Sequence, residues 1–92
     1  MKIKSGFEIT EDTPGIYVAR ATGERAKEFP GGIQMGLSGA FLWDYMSKHD
    51  ADRAELIFRL DGFYESEPST EQITADVDMF VSFLQANSLL EE

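Results

Sequence analysis

The sequence predicts an α+β domain in which an N-terminal three-stranded antiparallel sheet precedes three helices. Three observations carry that expectation. Apolar and polar residues alternate near the N-terminus, the apolar period lengthens to helical spacing after Gly36, and two capping signatures divide the remainder into further helices. Ninety-two residues supply one domain with one modest core, and no repeat, low-complexity tract or linker interrupts them, so residues 1–92 are read as a single unit.

Ile3, Phe7 and Ile9 have polar neighbours between them through Glu11, Pro14-Gly15 supplies a turn, and Ile16 to Arg20 is a second apolar-rich run. Together they predict a hairpin of two short strands. Thr22 to Gly32 is rich in turn residues, with room for one helical turn around Arg25 to Glu28. Ile33-Gln34-Met35, bounded by glycines, is a third short strand. The first helix is predicted from Leu37 to His49, with Gly36 or Ser38 as its N-cap. Phe41, Leu42, Trp43, Tyr45 and Met46 wrap most of its circumference and leave Ala40, Asp44, Ser47 and Lys48 for water, so this helix is expected to be central and largely buried.

Asp52, with Glu55 three residues on, opens a second helix whose apolar face is Leu56, Ile57 and Leu60 and which Asp61-Gly62 is expected to end. After a loop from Phe63 to Pro68, Ser69 with Gln72 opens a third helix that runs to about Asn87. Its core stripe is Ile73, Val77, Phe80 and Leu84 with Val81 beside it, while Asp76, Met79 and Phe83 form an adjoining flank. Small strands followed by three helices, the last two close together, is a winged helix-turn-helix-like order.

An apolar share of 42% is enough for a packed interior and sets disorder aside. No apolar run approaches the length of a membrane span, and the basic N-terminus is followed by the alternating, acidic Phe7 to Asp12 where a signal peptide needs an apolar stretch; the expectation is a cytoplasmic protein without a membrane partner. With no Cys, disulfides, thiolate nucleophiles and Cys-ligated metal centres are excluded. One His, no Gly-rich phosphate loop and no His/carboxylate cluster leave catalysis, metal binding and cofactor binding without a basis. The net charge of -9 argues against nucleic acid, whose affinity rests on Lys and Arg neutralising phosphates. Through His49 six acids balance six bases; from Asp50 onward eleven acids face only Arg53 and Arg59. A winged-helix regulator reading DNA with either later helix would therefore present carboxylates to the phosphates.

The stretch from Gly23 through Phe29-Pro30-Gly31-Gly32-Ile33-Gln34-Met35-Gly36-Leu37-Ser38-Gly39-Ala40-Phe41-Leu42-Trp43 resembles the core of the PqqD-like family, in which a short strand runs into a helix start carrying Thr-Gly-Ala and Trp. Asp76-Val77-Asp78-Met79-Phe80-Val81 with Phe83-Leu84 is similar to the Asp-Val-x-x-Phe-Leu-x-x-Leu ending of that family. Met35, Gly36, Leu37 and Ser88 depart from its usual Leu, Asn, polar residue and Gly. The resemblance implies a winged-helix-like peptide chaperone that holds the leader segment of a ribosomally made precursor peptide and presents it to a modifying enzyme, in many relatives a radical S-adenosylmethionine protein. It also implies that the leader adds as a strand beside the third strand, against the last helix.

The residues themselves suit that mode. No charged residue occurs from Gly31 to Trp43, and an uncharged edge strand flanked by glycines is open to another backbone. The expected peptide-binding residues are Ile33, Gln34, Met35 and Gly36 on the strand, with Asp76, Met79 and Phe83 on the helix flank. Asp76 is placed to meet a basic residue of the leader. Plainer readings stand beside these: Ile33 and Met35 as ordinary core strand, Met79 and Phe83 as core beneath Leu89-Leu90, Asp76 as a local helix partner. Trp43 reads as core, His49 as a helix C-terminal partner, and Glu65, Glu67 and Glu71 as a solvated face. The same open edge would also serve a homodimer.

Overall fold

A computed structural model describes residues 1–65 and 68–91. The predicted α+β class holds: a three-stranded antiparallel sheet of order β1-β2-β3 is followed by helices. The strands are β1 Phe7–Thr13, β2 Ile16–Ala21 and β3 Ile33–Met35; the helices are α1 Arg25–Glu28, α2 Leu37–Lys48, α3 Arg53–Phe63 and α4 Thr70–Ala86. α1 is the single helical turn anticipated between the hairpin and β3.

β1 and β2 pair from Phe7↔Ala21 to Thr13↔Ile16, with a bulge between Glu11 and Thr13 that absorbs the tight turn. β3 pairs with β2 as Tyr17↔Met35, Val18↔Gln34 and Ala19↔Ile33. Gly32 leads into β3 where any side chain would collide with β2: a Cβ there would lie 2.6 Å from Val18 Cγ1. α2 is central, as its near-continuous apolar surface requires, with Leu42, Trp43 and Met46 all buried. Trp43 is core, with the Phe7 ring edge-on to it at 5.4 Å between centroids. The stripes of α3 and α4 close the core through Leu56, Leu60, Ile73, Val77 and Leu84.

Both later caps form: the Asp52 side chain accepts from the Glu55 amide at 2.8 Å and Ser69 Oγ accepts from the Gln72 amide at 3.2 Å. Gly36 is the N-cap of α2 and has no side chain to offer. Arg53 Nε and Nη2 donate to the two carboxylate oxygens of Asp78 at 2.7 and 2.9 Å, a bidentate tie from α3 to α4.

Four expectations are corrected. Ile3 does not belong to the first strand, because the bend at Ser5 and Gly6 separates it from Phe7; its amide donates to the Met46 carbonyl at 3.0 Å and it bridges Leu90 instead. Gly62 does not end the second helix, which continues to Phe63, whose ring stacks on Phe41 of α2 at 4.6 Å and holds the last turn in place. Ala40 is buried rather than solvated, its small side chain set at the bottom of a hollow among the larger Ile9 and Tyr17 of the sheet and Leu37 and Phe41 of its own helix. Phe80 is half-buried, at the margin of the core rather than within it. His49 is the C-cap residue of α2, its ring 4.6 Å from that of Tyr45. Glu65 and Glu71 are exposed, while Glu67 lies outside the described residues.

Candidate functional site

β3 is an edge strand, so among the described residues the backbone groups on its outer side have no strand partner. Which groups those are follows from the parity of the ladder. The Thr22 amide donates to the Gly6 carbonyl at 2.8 Å, just beyond the Phe7↔Ala21 pair. Hydrogen-bonded and non-bonded pairs alternate in an antiparallel ladder, so Tyr17 and Ala19 turn their backbone groups away from β1 and toward β3. Their partners Met35 and Ile33 are thereby engaged, and Gln34 directs its N–H and C=O outward. The side chains alternate in the other sense: Ile33 and Met35 are half-buried against the core and Gln34 is exposed.

Immediately beyond β3 lies a cleft of about 300 Å³ between the strand's end, the first turns of α2 and the flank of α4. Met35 and Gly36 form one side, Ser38, Gly39 and Leu42 the floor, and Asp76, Met79 and Phe80 the other side. Gly39 is what lets these elements meet, because a Cβ there would lie 3.1 Å from Met35 Cβ and 3.6 Å from Phe80 Cε1. Among the described residues no Lys, Arg or His lines the cleft, and the one carboxylate there, Asp76, accepts from Gln72 Nε2 at 2.9 Å. A carboxylate retains acceptor capacity beyond a single such bond.

Of the seven residues expected from the sequence, the fold brings Met35, Gly36, Asp76 and Met79 to this cleft. Ile33 and Gln34 lie on the adjoining strand and not in the cleft wall. Phe83, one turn beyond Met79, is 41% exposed and Met79 is 72% exposed, so neither is core beneath Leu89-Leu90. Ser38, Gly39, Leu42 and Phe80 are not among the binding residues predicted from the sequence, which assigns Ser38 to a candidate cap and Leu42 and Phe80 to the core. The signal for them was present in helical spacing, since Leu42 follows Ser38 and Phe80 follows Asp76 by four residues.

Charge pairing around the cleft is arranged along the helices. The Arg53 guanidinium holds the Asp78 carboxyl below the usual carboxylate range, and is itself held more firmly protonated by Asp78. Asp78 thus faces α3, while Asp76, two residues earlier, faces the cleft. Among the described residues no group of three or more His, Asp or Glu side chains could hold a metal ion, and no helix is long and apolar enough to cross a membrane. No protein-family model, no curated protein and no solved structure matches the chain.

Proposed function

We propose that this chain is a non-catalytic peptide-binding module that takes an extended segment, the leader of a ribosomally made precursor peptide, as a fourth strand on β3 and presents it to a modifying enzyme. The observation that carries the reading is continuity: the outward N–H and C=O of Gln34 stand next to a largely apolar cleft that bears the Asp76 carboxylate. Backbone pairing on such an edge supplies affinity, and alternate ligand side chains directed into the cleft supply selection. Met79 gives the cleft an adaptable wall. Asp76 favours a ligand with a Lys or Arg near that wall. The resemblance to PqqD-like proteins across the β3–α2 and α4 segments supports the same reading.

Calorimetric titration with the leader of a precursor encoded beside the gene is the direct test. Micromolar or tighter binding is expected, weakened about ten-fold or more by Met79→Glu, which places a charge in the apolar wall. Asp76→Ala should weaken it less and should flatten its dependence on salt. Affinity indifferent to both substitutions would remove the cleft from the site.

The free edge of β3 also favours a second reading, a homodimer paired strand to strand. Sedimentation with and without the leader separates the two, because a dimer through this edge must dissociate as the peptide binds.

A further inference from the structure

Large exposed apolar side chains fall on two surfaces. Met79 and Phe83 lie along the α4 flank, whereas Leu37 and Phe58, 53% and 71% exposed, lie elsewhere. Leu37 borders a hollow of about 300 Å³ with Ile9, Tyr17, Phe41 and Phe63, and Phe58 borders one of about 380 Å³ that shares Phe41 and Phe63. The stacked Phe41 and Phe63 rings are therefore a ridge between two hollows of one contiguous apolar surface. On α2 this surface uses Leu37, Ala40, Phe41 and Asp44, while the cleft uses Ser38, Gly39 and Leu42. At 3.6 residues per turn those two sets are centred roughly 150° apart around the helix axis. The two surfaces have no residue in common, so one can be occupied while the other is.

The rim identifies the occupant's chemistry. Glu11, Asp44 and Asp61 border the hollows. Asp44 is paired with Lys48 at 3.2 Å, an exposed ion pair of small worth, and Glu11 accepts from the Gly15 amide at 3.2 Å, so both carboxylates keep acceptor capacity toward a partner's cation. Among the described residues that line the hollows the one cation is Arg59, and it lies over this chain's own aromatics, 5.2 Å from the Tyr45 ring and 5.9 Å from the Phe58 ring. A second copy would set the same carboxylates against themselves on a body of net charge -9, and an anionic lipid surface would be repelled likewise. We propose that this face of α2 and α3 docks a partner protein through an apolar side chain set among Lys and Arg, so that the module holds its peptide on one side of α2 and its partner on the other. That the partner is the enzyme receiving the peptide rests on the proposed function; the docking chemistry of the surface does not.

The test titrates ¹⁵N-labelled protein with a synthetic helical peptide of about 18 residues carrying Leu on one face and Lys on the other, and with its counterpart in which Glu replaces Lys. Binding of the Lys peptide should shift amide signals at Leu37, Phe58 and Phe63 and leave those of Met35 and Met79 in place; the Glu peptide should not bind. Leu37→Glu combined with Phe58→Glu should weaken binding about ten-fold or more although it adds negative charge, whereas Met79→Glu should change it by less than about two-fold. Shifts centred on the cleft or spread evenly over the acidic surface overturn the proposal, as does an unaffected double variant. Because the leader titration reads Met79 and this one reads Leu37 and Phe58, failure of either surface is distinguishable from failure of the other.

Discussion

Ser88 occupies a position that glycine normally fills. Its φ of 57° is left-handed, its amide donates to the Gln85 carbonyl at 3.2 Å, and the Leu89 amide donates to the Leu84 carbonyl at 2.9 Å. These two bonds are the Schellman pair that closes α4 and turns the chain so that Leu89 enters the core. A non-glycine residue in this conformation costs about 1 kcal/mol, so Ser88→Gly should raise stability by about that amount in urea unfolding, with no change in m-value. An unchanged or lower midpoint would contradict the assignment. At this scale the sequence was legible in part: the missing glycine after α4 was visible, as were the Asp52 and Ser69 caps. Gly39 was not, because the need for glycine arises from Met35 and Phe80, which reach it only after β3 and α4 have come together.

The elements show how much local pattern conveys. Each strand and helix follows from apolar period and caps, yet the exposed groups of β3 depend on the parity of a ladder that begins at Gly6 and Thr22. That parity makes opposite predictions for adjacent residues. Gln34→Pro removes an outward N–H and should leave the fold intact while abolishing strand addition; Ile33→Pro removes one that is bonded to β2 and should destabilise the domain, about 3 kcal/mol being the scale of a misplaced proline. Thermal melts of both variants, beside leader titrations, check the assignment, and equal damage from the two would reverse the parity. Between α3 and α4 the Arg53–Asp78 pair adds a pH dependence. The Asp78 pKa is lower folded than unfolded, so its contribution is fully present above the ordinary carboxylate value, about 4, and is lost as pH falls through the lower folded value. Arg53→Gln should therefore make the acid-side fall in stability shallower; superimposable pH profiles for the variant and the parent protein would show that the pair contributes nothing.

Across the whole molecule, the segment before β1 ties together parts that are far apart in sequence. The Lys4 amide donates to the Leu89 carbonyl at 2.9 Å and the Glu91 amide to the Lys2 carbonyl at 2.8 Å, which seats Ile3, 1% exposed, between the end of α2 and the chain's C-terminal residues. Ile3→Ala should accordingly cost about 2–5 kcal/mol, as for a core residue, and a loss under about 1 kcal/mol in urea unfolding would show that the segment is not anchored. By itself the sequence determined the α+β order, the burial of α2 and the helix caps, because these rest on contacts within a few residues and on a period that any core must obey. It also determined that the excess of acid lies in the helical half. Only the tertiary structure decided that Ile3 is core, that Met79 and Phe83 face solvent, and that Met35, Gly36, Asp76 and Met79 share a cleft while Phe83 stands outside it. It also decided that α2 separates two apolar surfaces. A helical wheel specifies which residues share a face, and the face acquires its neighbours only when long-range packing supplies them.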